Sequence, residues 1–258
     1  MCSPGLSVRL LAMVLAAAAV PAEAWTVSGH IRDGNGVGLA GVDLDFEDQS
    51  TGSIIVTPND NTDAGGFYST TVPAGDYRIY FKPAAGEPYF ADKDDRTIGS
   101  DVVVDWTLLQ GTFVSGYVVD EFGTGLFGVD LNFYNSATGE NPGYAGDNTD
   151  AAGFYQVLVD QEMTFDILYR PSPGDPHVEL EVTGVPVGVT EVSMPNAVLA
   201  GGHFVTGTVR RKGTTTPVAG ADIDAVDTAT GLKIGRLGFD NTDATGNWQV
   251  VLRPGVWD

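Results

Sequence analysis

Apolar side chains along this chain recur every second residue. Val42, Leu44 and Phe46 alternate with Asp43, Asp45 and Glu47, the pattern of a strand with one dry and one wet face. The same period runs through Tyr68-Thr70-Val72 and Tyr77-Ile79-Phe81, and again through Tyr155-Val157-Val159 and Phe165-Ile167-Tyr169. Further strands are expected from Val102 to Leu108 and from Val187 to Val192. Turn formers separate these runs, among them Asp33-Gly34-Asn35-Gly36, Thr51-Gly52, Ala64-Gly65-Gly66 and Pro73-Ala74-Gly75-Asp76. No segment carries a helical apolar stripe. Short strands joined by tight turns predict an all-β protein made of antiparallel sandwiches.

The pattern repeats. Val27-Ser28-Gly29 returns as Val114-Ser115-Gly116 and as Val205-Thr206-Gly207. Gly41-Val42-Asp43-Leu44-Asp45-Phe46 returns as Gly128-Val129-Asp130-Leu131-Asn132-Phe133 and, more distantly, as Gly220-Ala221-Asp222-Ile223-Asp224-Ala225. Asp60-Asn61-Thr62-Asp63-Ala64 returns as Asp147-Asn148-Thr149-Asp150-Ala151 and Asp240-Asn241-Thr242-Asp243-Ala244. A period near ninety residues is too long for a solenoid and suits a small domain with its own core. The expected organisation is a signal peptide over 1–24, sandwiches over 25–110 and 111–201, and a truncated third over 202–258, with joints near Gln110-Gly111 and Gly201-Gly202. The third copy reaches only the start of a core strand at Trp257, which predicts an unpaired sheet edge and an uncovered apolar face.

These landmarks resemble the carboxypeptidase regulatory-like domain, a transthyretin-like β-sandwich. That family's mark is Thr-Asp-Ala-x-Gly-x-aromatic followed by a Pro-Gly turn and a second aromatic. Thr62-Asp63-Ala64-Gly65-Gly66-Phe67-Tyr68 with Pro73-Ala74-Gly75-Asp76-Tyr77 fits it, as does Thr242-Asp243-Ala244-Thr245-Gly246-Asn247-Trp248 with Pro254-Gly255-Val256-Trp257. The middle copy keeps Thr149-Asp150-Ala151-Ala152-Gly153-Phe154-Tyr155 but has Gln161-Glu162 in place of the Pro-Gly turn, which weakens the hairpin expectation there. The resemblance implies a non-catalytic accessory module, and it also brings in the reading of an accessory region of a secreted peptidase.

The N-terminus adds a compartment. Arg9, the apolar run Leu10 to Val20 and Ala22-Glu23-Ala24 form a secretory signal, and the run is too short to span a bilayer. Cleavage removes Cys2, the lone cysteine, so disulfides and thiolate chemistry are excluded from the mature chain. The expected product is secreted, periplasmic or at the cell surface, with no membrane insertion after cleavage.

The formal charge is −21. Residues 25–110 carry 14 acids and 5 bases, residues 111–201 carry 13 and 1, and residues 202–258 carry 6 and 6. Such acidity repels phosphate backbones, so nucleic acid is not an expected partner. An extracellular protein or a polysaccharide is.

Site chemistry is sparse. His30, His177 and His203 have no metal-ligand spacing with one another, and no nucleophile elbow, His-Glu-x-x-His or phosphate loop occurs, so no enzyme is expected. Asp43 and Asp45 share a wet strand face. The Asp-Asn-Thr-Asp segments offer oxygen ligands for calcium through Asp60, Asn61 and Asp63, Asp147, Asn148 and Asp150, and Asp240, Asn241 and Asp243. The competing reading is an Asx-turn, and otherwise no cofactor is expected. Alternation turns Phe67 and Phe154 away from the core, where they could stack on sugar rings. The sequence thus favours a spacer, adhesive or accessory module of a larger exported protein, with a carbohydrate-binding module as the alternative.

Overall fold

The computed structural model describes residues 23–231, 233–234 and 240–258, so the expected leader lies almost wholly outside the described residues. Every regular element among them is a strand. The chain forms two compact units. The first takes Val37–Lys82, Asp92–Trp106 and the described part of Met1–Arg32; the second takes Asp33–Gly36, Pro83–Ala91 and Thr107–Asp258.

In the first unit the chain runs through β1 (Ala24–Arg32), β2 (Asp43–Asp48), β3 (Ser53–Ile55), β4 (Phe67–Pro73), β5 (Gly75–Lys82), β6 (Asp92–Ile98) and β7 (Val102–Val103), with β8 (Trp106–Thr107) at its boundary. One sheet has the order β4-β1-β7, with β8 also pairing with β1; the other has the order β3-β2-β5-β6. Most pairs are antiparallel, but β7 runs parallel to β1. Sequence alternation decides the inner faces. Val27 and Ile31 of β1, Leu44 and Phe46 of β2, Tyr68 and Val72 of β4, and Ile79 and Phe81 of β5 are buried. Burying eight such side chains stabilises the unit by roughly 1.5–3 kcal/mol each.

The second unit repeats this plan. It contains β9 (Gly111–Asp120), β10 (Asp130–Asn135), β11 (Phe154–Asp160), β12 (Met163–Arg170), β13 (Leu180–Val187), β14 (Val192–Ser193) and β15 (Ala197–Leu199). The sheet β11-β9-β14, joined by β15 on β9, faces the sheet β10-β12-β13 across a core built from Val114, Phe133, Tyr155, Phe165 and Tyr169 with their neighbours. The β11 to β12 turn forms although it lacks Pro-Gly. Glu162 takes a left-handed φ of 55° there, and the Gln161 side-chain amide donates to the Gly111 carbonyl at 2.9 Å.

Within the same unit the third repeat contributes β16 (His203–Thr208), β17 (Ala225–Val226), β18 (Lys233–Ile234) and β19 (Asn247–Leu252). β16 pairs with β19 and β17 with β18. Its described core is small, built on Ala225, Val250 and Leu252. Val205 is 39% exposed where its counterparts Val27 and Val114 are 0%.

The Asn-Thr-Asp landmark has a structural cause in all three repeats. Thr62, Thr149 and Thr242 are buried, and each hydroxyl ties the turn to the chain before the second strand. The hydroxyls donate to the carbonyls of Leu39, Leu126 and Val218 at 2.6, 2.6 and 2.7 Å. They accept from the backbone N–H of Val42, Val129 and Ala221 at 2.9, 2.9 and 2.8 Å. A buried hydroxyl that both donates and accepts leaves no polar group unpaired.

Candidate functional site

The first two repeats each carry a strap that alternation does not reveal. Gly86-Glu87-Pro88-Tyr89-Phe90, after β5, corresponds to Gly174-Asp175-Pro176-His177-Val178, after β12. In both, the strap pairs with the residues that lead into the next first strand. Phe90 N–H donates to the Leu109 carbonyl and Gly111 N–H to the Pro88 carbonyl, at 2.9 and 2.8 Å. Val178 N–H donates to the Ala200 carbonyl and Gly202 N–H to the Pro176 carbonyl, at 2.9 and 2.7 Å. Between these bonds lie the bridges Tyr89 to Gln110 and His177 to Gly201.

The two joint glycines are required by close approach. A Cβ on Gly111 would lie 2.8 Å from the Phe90 ring and 2.9 Å from the Leu158 methyl. On Gly202 it would lie 2.7 Å from methyls of both Val178 and Val251. The strap and the next repeat therefore grip one backbone position from both sides.

The second joint borders an open cleft of about 450 Å³. One wall is the 171–179 segment, presenting Pro171, Asp175, His177 and Glu179; the other is Phe204 with Val251 and its neighbours. Asp175 Oδ1 accepts from the His177 backbone N–H at 2.9 Å and lies 2.5 Å from His177 Nδ1. Arg170 Nε donates to Glu179 Oε1 at 3.0 Å, in a pair whose side chains are largely buried. Both pairs hold their members in fixed orientation at the cavity wall.

The residues expected from sequence to bind ligands lie elsewhere and serve local structure. Asp63, Asp150 and Asp243 each close a turn. Their Oδ1 atoms accept from the N–H of Gly65 and Phe67, Ala152 and Phe154, and Thr245 and Asn247, at 2.8 to 3.0 Å. Asp60, Asp147 and Asp240 instead hold their neighbours Asn61, Asn148 and Asn241 through side-chain bonds of 3.4, 3.1 and 3.3 Å. Among the described residues no three His, Cys, Asp or Glu side chains come together in a set that could hold a metal ion.

The first aspartate of each landmark does meet a second carboxylate. Burial and the nearby charge of Asp130 push the Asp147 carboxyl above its ordinary value. Burial pushes Asp240 up, helped by Asp222, and pushes Asp43 up, helped by Asp45 and Asp60. A raised folded-state pKa contributes stability fully present below the unfolded value and lost as pH rises through the folded one. Asp147→Asn is therefore expected to raise the melting temperature at pH 7 and to have little effect near pH 3. The gain is bounded at about 1 kcal/mol by solvent screening of a half-exposed pair. Thermal melts of both proteins across that range check it, and a larger gain in acid than at neutrality would refute it.

Phe67 and Phe154 pack on their cross-strand partners. Phe67 meets His30 at 5.2 Å with a 57° tilt, and Phe154 meets Tyr117 at 5.2 Å with a 55° tilt. Asn247, the third member, faces Thr208 and accepts its hydroxyl at 2.9 Å. Tilted neighbours of this kind gain edge-to-face contact.

No family model matches the chain, and no curated protein matches it. Solved structures of low similarity do. The streptococcal ancillary pilin aligns at 12% identity over 91% of this chain and 88% of its own, with a TM-score of 0.32. The shaft pilin SpaA of Lactobacillus rhamnosus GG aligns at 13% identity over 70% of this chain and 98% of its own, also at 0.32. The Bacillus anthracis TIE protein aligns at 13% identity and a TM-score of 0.28, and this chain spans 44% of that protein's length.

Proposed function

We propose that the chain is a secreted, non-catalytic structural and interaction module, a spacer or adhesive segment of a larger exported protein, built from two transthyretin-like sandwich repeats over 25–110 and 111–201 and a truncated third over 202–258. The strap-and-glycine joint supports this reading most directly. A chain of independently mobile beads needs only a polar linker. Here the residues around Gly202 are instead hydrogen-bonded to Pro176 and Val178 and packed without room for a side chain. That construction couples successive repeats, which is what a spacer that carries load or sets distance requires. The architecture also agrees with the carboxypeptidase regulatory-like pattern in the sequence, and an acidic surface suits an exported protein.

Backbone ¹⁵N relaxation of the full mature chain tests the coupling. Residues 205–252 should share one rotational diffusion behaviour with residues 111–199, and Gly202→Val should release them. If the wild-type third repeat already tumbles independently, the spacer reading fails.

A further inference from the structure

The two joints are built alike, but they are filled differently. At the first, Phe90 and Leu158 flank the joint glycine, and the Phe90 ring stacks near Tyr144 at 6.2 Å. At the second, Val178 and Val251 occupy the equivalent places, and Glu179 stands where the first strap has Ala91. Two large apolar side chains have become small, and a methyl has become a carboxylate. Of these, Glu179 and Val251 line the 450 Å³ cleft beside the second joint, together with Phe204, which is 42% exposed.

We propose that this cleft binds a single cationic side chain on an aliphatic stem, a lysine or arginine presented by an extended segment of a partner protein. Shape and charge both select that guest. Pro171, Phe204 and Val251 offer an apolar channel for methylene groups. Asp175 and Glu179 line the cleft. Arg170 is the one base among residues 111–201, and it is bound to Glu179. Two carboxylates against one guanidinium leave the cleft negative, and its apolar walls strengthen the attraction for a cation. A neutral or anionic guest gains nothing from that field. The inference rests on the module reading for its partner, but it can fail separately, since relaxation reports the joint and ligand titration reports the cleft.

Titration of the full mature chain with acetyl-Gly-Lys-Gly-amide, followed by amide shifts in the 171–179 and 249–251 segments, tests it. Saturable shifts are expected there, at least tenfold weaker for the norleucine peptide, which has the stem without the charge, and weaker in high salt. Asp175→Asn should cost severalfold in affinity. Val251→Phe, which fills the cleft from its apolar wall, should fold and abolish the shifts. Equal binding of the norleucine peptide, preference for a neutral disaccharide, or unchanged binding by the filled variant overturns the proposal. If that variant fails to fold, Asp175→Asn decides alone: loss supports the site, and wild-type affinity rejects it.

Discussion

Alanine at Gly153 should cost the second repeat about 3 kcal/mol or more, among the largest effects of any single methyl in this chain. Gly153 holds φ at +78°, a region that costs an L-residue about 1–2 kcal/mol on its own. The added Cβ would also lie 2.3 Å from the Val118 carbonyl oxygen and 2.9 Å from Gly125 Cα. Both are backbone atoms of the strand and turn that the glycine bonds, since Val118 N–H donates to the Gly153 carbonyl at 2.8 Å. Neither can swing aside as a side chain would. Gly139 supplies the control, with φ at +74° and nothing within 4 Å of its Cβ position, so Gly139→Ala should cost only the conformational part. Urea unfolding resolved by residue-level amide signals separates the second repeat from the others. A difference of less than about 1 kcal/mol between the two variants would show that the crowding at Gly153 is relieved cheaply.

Much of this fold is written in alternation, because half-buried strands sort side chains by parity. Leu44, Phe46, Ile79, Phe81 and their counterparts lie where period two puts them. The elements that escaped are those with little to bury. β6 reads Asp-Lys-Asp-Asp-Arg-Thr-Ile, and Ile98 alone of these is buried. A charged edge strand of this kind resists pairing with other chains and carries no apolar pattern to detect. β7 and β14 run parallel to the first strand of their repeat, a pairing that follows from a crossover between sheets and not from residue type. The aspartate turns were legible as chemistry, yet the threonine between them was not singled out, although its hydroxyl has the same two backbone partners in every repeat. The sequence suggests joints near Gln110-Gly111 and Gly201-Gly202 but not the bonding around them. Straps have no period, and the recurrence of Gly, an acid and Pro before Tyr89-Phe90 and His177-Val178 was the signal available. The cleft needed coordinates, because its walls come from the 171–179 segment and from Phe204 with the 249–251 segment, which are distant in sequence.

Phe133→Ala should destabilise the second repeat by about 3–5 kcal/mol, the usual range for emptying a fully buried aromatic site. Phe133 is buried in β10 and meets Phe165 edge-on at 5.9 Å and Tyr144 at 6.0 Å. Tyr144 and Phe165 meet each other at 6.1 Å, so the three rings form a closed set and removing one strips contacts from both others. Tyr144 is also fixed by its hydroxyl, which donates to Asp160 at 2.8 Å, so it cannot slide into the void. Phe133→Leu keeps most of the volume and should cost about 1–2 kcal/mol. The third repeat already carries alanine here, as Ala225, which among the described residues packs with Val250 and Leu252, with Trp248 and Trp257 against them. Amide exchange in the wild-type chain should therefore be faster in β19 than in β11, and Phe133→Ala should move β11 towards the β19 rate. A β11 rate unchanged by that substitution would mean that the ring cluster is not what holds the second sandwich shut.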